Sequence, residues 1–187
     1  MPYAVDAMKS IAQGIGNFRD KFPAKVVLEK SISQKQQEIV SALNQFMECV
    51  RYLNTRRSKG TVLTLSSEGE VQDALYIMLR PWVADLKYED PTSKNGNRFV
   101  IKDFFVQSAE MIIEAKYIRD KKHGKEVSKE LHDDIEMYRQ RGDASFVVFF
   151  IYDPNNNIPS VEDLKSSLEI DRVYNGKSLR IEVIVKP

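Results

Sequence analysis

Asp103 and the run Glu114-Ala115-Lys116 carry the chemistry that stands out in this chain. They fall on two stretches that read as neighbouring strands of a hairpin. An alternation of period two puts Glu114 and Lys116 on one face of theirs. Both interrupt an apolar run, with Met111-Ile112-Ile113 before them and Tyr117-Ile118 after. A carboxylate and an ammonium in such a strand are costly to bury unless they are paired or bind an ion. Acidic oxygens converging from adjacent strands suit a hard cation such as Mg²⁺ or Mn²⁺. Lys116 then orients a water or offsets charge developing on a phosphate. The plainer alternative is a Glu114–Lys116 pair on a solvent-facing strand edge. The D-x₁₀-E-x-K spacing alone is a weak pattern and leaves both open.

The other candidates are less pointed. Lys116, Arg119, Lys121, Lys122, Lys125 and Lys129 outnumber Asp120 and Glu126 over residues 116–129. Such a run tracks a phosphate backbone, or simply solvates a helix entry. His123 and His132 have no second His or Cys at ligand spacing, which favours surface or helix-face roles. Asp134 and Tyr138 lie one helical turn apart and either brace the site or pack. Asp153-Pro154 ends an apolar strand, where Asp most simply caps a turn.

The elements that must position these residues follow from periodicity. Residues 4–16 have weak helical character, interrupted by Gly14 and Gly16. From Ser33 to about Arg57 the residues Ile39, Val40, Leu43, Phe46, Met47, Val50 and Leu53 recur at helical spacing, predicting one long amphipathic helix stopped by Lys59-Gly60. Thr61 to Leu65 suits a short extended stretch. Ser67-Glu68-Gly69-Glu70 matches a capping box, with Ser67 as N-cap and Glu70 reaching back. The helix it opens buries Val71, Leu75, Ile77, Met78 and Leu79 and ends at Pro81. Asp85 to Asp90 reads as a strand and Pro91 to Asn97 as a turn-rich loop. Strands over Phe99–Val106 and Met111–Ile118 follow, joined by a polar turn at Gln107-Ser108. A helix over Lys125–Arg141 presents Val127, Leu131, Ile135 and Tyr138 on one face. Ser145–Tyr152 is the strand expected to be covered on both sides. A helix over Val161–Leu168 and a strand over Leu179–Val185 close the chain. From residue 67 the order is αβββαβ followed by αβ, which one three-layer α/β/α domain accommodates.

The chain has 187 residues, 42% of them hydrophobic and 29% charged, enough to bury a core. A net charge of +1 excludes the uniformly basic surface of a nucleic-acid-coating protein, though not a local basic groove. Residues 1–60 carry 10 basic and 5 acidic side chains and the remainder 18 and 22, an asymmetry that wet faces of long helices explain most simply. The lone Cys49 excludes a disulfide framework and a cysteine zinc site within one chain. Apolar runs are of strand length and no secretory signal is visible, so a cytoplasmic protein with no membrane partner is expected.

Glu68-Gly69-Glu70-Val71-Gln72, Lys102-Asp103-Phe104-Phe105, Ile113-Glu114-Ala115-Lys116 with Arg119, Asp134-Ile135 with Tyr138, Phe150-Ile151-Tyr152-Asp153-Pro154 and the closing Leu179–Pro187 stretch together resemble the PD-(D/E)XK, or restriction-endonuclease-like, nucleases. The likeness is closest to a bacterial subgroup found in restriction and anti-phage proteins, and it runs from about residue 40 to the end. It implies a three-layer α/β/α fold with an αβββαβ core, a nuclease domain over residues 61–187 and an N-terminal helical extension over 1–60. It makes Asp103 and Glu114 metal-binding acids, Lys116 the catalytic lysine and the Ala115 carbonyl a further metal ligand. Glu68 completes the site through metal or water, supported by Gln72 and Arg119, while Lys121, Lys122 and Lys125 contact nucleic acid. Glu70 is assigned to capping first and to the metal shell second. Lys102 stands where the superfamily's name has Pro, and Thr92–Arg98 departs from the subgroup, which bears on substrate contacts rather than catalysis. The implied activity is Mg²⁺- or Mn²⁺-dependent hydrolysis of nucleic acid, DNA foremost, in bacterial defence. The long helix of residues 33–57 either mediates a homodimer or larger assembly, which would address both strands, or forms an accessory layer packed on the same domain. Two alternatives stay open: a ribonuclease or single-strand-specific effector with the same site, and an inactive binding or assembly module.

Overall fold

A computed structural model describes residues 30–55, 63–91, 101–139, 142–174 and 176–187. The expected helical character at 4–16, the Lys59-Gly60 stop and most of the 91–97 loop lie outside these, as do residues 99–100 of the expected second strand. Residues 31–187 form one compact unit. Its elements are α1 (Ile32–Asn44), α2 (Phe46–Thr55), α3 (Glu68–Leu79), β1 (Leu86–Pro91), β2 (Ile101–Val106), β3 (Met111–Tyr117), α4 (Lys121–Arg139), β4 (Phe146–Tyr152), α5 (Val161–Leu168), β5 (Arg172–Tyr174) and β6 (Lys177–Lys186). A short 3₁₀ turn over Gln107–Ala109 joins β2 to β3.

The strands form a six-stranded sheet in the order β1-β2-β3-β4-β6-β5. β1, β2 and β3 pair antiparallel, β3-β4 and β4-β6 parallel, and β5 returns antiparallel onto β6. Central β4 reads Phe-Val-Val-Phe-Phe-Ile-Tyr and is buried throughout its first six residues, as a strand covered on both faces must be. Phe146, Val148 and Phe150 meet α1, α2 and α3 through Leu43, Phe46, Val71 and Leu75. Val147, Phe149 and Ile151 meet α4 and α5 through Val127, Leu131, Ile135, Leu164 and Leu168. The three-layer α/β/α architecture and the αβββαβ order are those expected.

Several expectations need correction. The long helix after Ser33 is two helices, divided by a turn at Gln45 whose N–H bonds to the Ala42 and Leu43 carbonyls. Past that turn Phe46 packs edge-on against Phe150, with ring centroids 4.8 Å apart. Of the expected extended stretch, residues 61–62 lie outside the described residues and 63–65 pair with no strand. On α3, Ser67 caps as expected, but Glu70 reaches past it to the N–H and hydroxyl of Ser66, at 2.6 and 2.7 Å. Ile77 is 68% exposed rather than buried, because Val71, Ala74, Leu75 and Leu79 already fill the inward stripe. Short β5 was not expected, although Val173-Tyr174-Asn175-Gly176 is a hairpin signal and Gly176 takes φ +76°.

Helix α4 starts at Lys121, a turn before the expected Lys125. Asp120 caps it by accepting the His123 N–H at 2.8 Å. Gly124 lies inside the helix, at a point where the chain passes at close range. A Cβ on Gly124 would stand 2.3 Å from the Asn157 carbonyl oxygen. That loop is itself fixed by buried Asp153, which accepts the Asn157 and Ile158 N–H groups at 2.8 and 2.9 Å, the turn cap expected of it. Gly124→Ala is therefore expected to destabilise the protein by about 1–3 kcal/mol through overpacking, despite alanine's better helix propensity. Denaturant titration checks this, and a stabilised variant would contradict the close approach.

Candidate active site

The pairing of β2 with β3 covers Val106↔Met111, Phe105↔Ile112 and Phe104↔Ile113. One step further the same register would set Asp103 opposite Glu114, and there the ladder ends. The Asp103 carboxylate fills the opening, its Oδ2 accepting the Ala115 N–H at 2.8 Å. Glu114 projects from the α4-facing side of β3 and is only 5% exposed. Lys116 Nζ donates to its Oε1 at 3.1 Å, and the Tyr138 hydroxyl donates to its Oε2 at 2.6 Å. Lys116 Nζ also lies 3.7 Å from Asp134 Oδ2. Residues two apart on a strand thus meet residues four apart on a helix. The solvent-facing edge pair is excluded, since β3 is interior to the sheet and Glu114 is buried.

This corner is crowded with carboxylates. Burial and then the neighbouring Glu114 charge push Asp103 up to about 7, against the Ala115 N–H and the Lys116 charge. Burial likewise raises Asp134 to about 6, with Lys116 opposing and Glu114 reinforcing. Burial works to lower Lys116, but Glu114 and Asp134 outweigh it and hold the ammonium above its usual range. Burial and the Glu114 carboxylate raise Tyr138.

Glu68, in the first turn of α3, is half-buried and its charge acts on both Asp103 and Lys116. Gln72, one turn on, shares with Asp103 the wall of a cavity of about 360 Å³. Glu70 is held by Ser66 and Ser67. Glu68, Asp103, Glu114 and Lys116 are therefore brought to one place, with Ala115 hydrogen-bonded to Asp103. Arg119, Lys121, Lys122 and Lys125 are exposed outside this cluster. Arg119 acts on Asp120, and Lys122 lies 4.0 Å from Glu126. Among the described residues no three His, Cys, Asp or Glu side chains form a group that could hold a metal ion. Sequence reasoning left Asp134 and Tyr138 undecided between bracing and packing, and both touch the site. Their four-residue spacing opposite a two-residue strand pair was the available signal.

A three-layer α/β/α fold in αβββαβ order, with two carboxylates and a lysine where its central strands part, defines the restriction-endonuclease-like, PD-(D/E)XK type of protein. Residues 37–187 match the DpnII-MboI restriction endonuclease family, and the chain belongs to it. It is accordingly a nuclease, a hydrolase whose substrate is DNA. No curated protein matches the chain. Among the described residues no helix is long and apolar enough to cross a membrane.

Asp103 and Asp134 hold protons more tightly when folded than a free carboxylate does. The folded state thus binds more protons than the unfolded between about pH 4 and 7. Their contribution is full below that range and is lost as pH rises through it. Denaturant titrations in chelator at pH 5 and 7.5 should show this loss, and Asp103→Asn should reduce it. A variant with an unchanged pH slope would contradict the assignment.

Proposed function

We propose that the chain is a Mg²⁺- or Mn²⁺-dependent endonuclease that cuts foreign DNA in restriction. The meeting of Asp103, Glu114 and Lys116 where β2 and β3 part carries this reading. The donor chemistry fits a hard divalent cation: Asp103 and Glu114 bring carboxylate oxygens together in a partly buried corner, where burial and the Glu114 charge raise Asp103. Asp103, Glu114 and the Ala115 carbonyl would hold the ion, with Glu68 completing the set directly or through water. A divalent cation bound there would supply activation of the attacking water and neutralisation of the leaving oxygen.

The protein's own groups do the positioning. Lys116 keeps its proton at neutral pH, because Glu114 and Asp134 hold its pKa high. Its part is therefore electrostatic, donating to a phosphate oxygen rather than accepting a proton. Asp134 fixes the ammonium, and the Tyr138 hydroxyl fixes the Glu114 carboxylate. Lys121, Lys122 and Lys125 stand on the first turns of α4, where no acidic residue occupies the first turn. The positive end of the helix adds to their charge, and they contact the DNA backbone there. Two copies joined through the N-terminal helices would bring one site to each strand.

Plasmid, linear duplex, single-stranded DNA and RNA incubated with Mg²⁺ or Mn²⁺ test the reading. Cleavage of duplex DNA is expected, and Glu114→Gln or Lys116→Met should each lower it by at least about a hundredfold. A folded protein that cuts none of these substrates and binds no metal by calorimetry would sink it. Exclusive cutting of RNA or single strands would reassign the substrate. Replacing Lys121 or Lys125 by Ala should weaken binding across sequences and reduce the salt slope of log K by about 1 each. An unchanged slope would remove these lysines from the interface.

A further inference from the structure

A cavity of about 360 Å³ opens between α3 and the β1–β2 edge of the sheet, lined by Gln72, Asp73, Tyr76, Tyr88, Asp103 and Phe104. Its volume lies near the lower end of the range of about 300–1,000 Å³ for small-molecule sites. Tyr76 on α3 and Tyr88 on β1 form its aromatic wall, ring centroids 5.7 Å apart at 71°. That contact orients Tyr88 while leaving the residue 62% exposed at the edge of the sheet. Asp103 belongs both to this wall and to the acid cluster, so an occupant of the cavity stands beside the reacting phosphate.

The lining decides which part of a nucleic acid can enter. Among the described residues it holds two carboxylates, Asp73 and Asp103, and no cation. A phosphate would be repelled, whereas a neutral heteroaromatic ring has a π-face to stack on and the Gln72 amide to bond. The Asp73 carboxylate accepts from an exocyclic amino group, which adenine, cytosine and guanine carry. We propose that this cavity takes one nucleobase of the substrate, unstacked from the duplex and laid on Tyr88, next to the scissile phosphate. The proposal rests on the nuclease reading and adds a base subsite to it. Unstacking a base takes energy, and stacking on an aromatic side chain offsets it whatever the base.

The test compares wild type with Tyr88→Leu, which removes the π-face at an exposed position and leaves the fold to its core. Tyr88→Trp keeps a stacking surface, and Trp82→Leu removes an exposed aromatic just past α3 as a control. Once the cleaved bond is mapped with wild type, the DNA dependence of cleavage is measured. Half-saturation should rise about tenfold for Tyr88→Leu and stay within about twofold for Tyr88→Trp and Trp82→Leu. Duplexes carrying single 2-aminopurines beside the cleaved bond should brighten at one position on binding wild type, and not on binding Tyr88→Leu. Unchanged half-saturation for Tyr88→Leu, or no position that brightens, overturns the base subsite and leaves the nuclease reading standing. A wild type that cuts no nucleic acid overturns both.

Discussion

Glu114 sits in the middle of an apolar sheet, on an interior strand, with almost no access to water. A lone carboxylate there would be prohibitively costly, so its neighbours are constrained by it. One oxygen takes the Lys116 ammonium and the other the Tyr138 hydroxyl. These demands fix which face of β3 looks at α4, and at what rotation α4 lies on the sheet. Ile135, between Asp134 and Tyr138, is fully buried, so the polar contacts and the apolar stripe of α4 share one register. Removing one partner from such a pair costs about 3–5 kcal/mol, a large share of a small domain's stability. The groups that would do chemistry are thus also structural.

The two sides of the sheet divide the work at this point. On the α4 side the Tyr138 hydroxyl holds Glu114 and the Asp134 carboxylate holds Lys116. The α3 side is open, because β2 and β3 stop pairing at Asp103 and the cavity begins there. Asp103 belongs to both. It caps the Ala115 N–H in place of a ladder bond and shows itself to the cavity wall. A parted ladder would leave a buried N–H unsatisfied, and this side chain resolves that defect.

Much of this was legible before any coordinates. Uninterrupted burial of β4, the 127-131-135-138 stripe of α4, the Ser67 cap and the Asp103/Glu114/Lys116 pattern all follow from local periodicity and residue type. What escaped depends on contacts between distant segments. Helix α4 starts a turn before the periodicity shows, and the need for glycine at 124 comes from Asn157, far along the chain. Gln45 lies in a run with helical periodicity on both sides, and its turn is set by packing onto Phe150. Tyr88 carries no local signal at all, since its meaning comes from Tyr76, a helix away.

The dependence on contacts between segments also governs the charge of Lys116. A buried lysine usually loses its proton readily, because desolvation penalises the charged form. Here Glu114 and Asp134 outweigh that effect, so the ammonium stays charged in a place where water screens it poorly. A cation held this way is already positioned, in a site where charges are screened less than at a solvated surface. Tyr138 keeps the arrangement from collapsing: with its hydroxyl on one Glu114 oxygen, the carboxylate cannot rotate both oxygens onto Lys116. The ammonium therefore keeps a second partner in Asp134, 3.7 Å away.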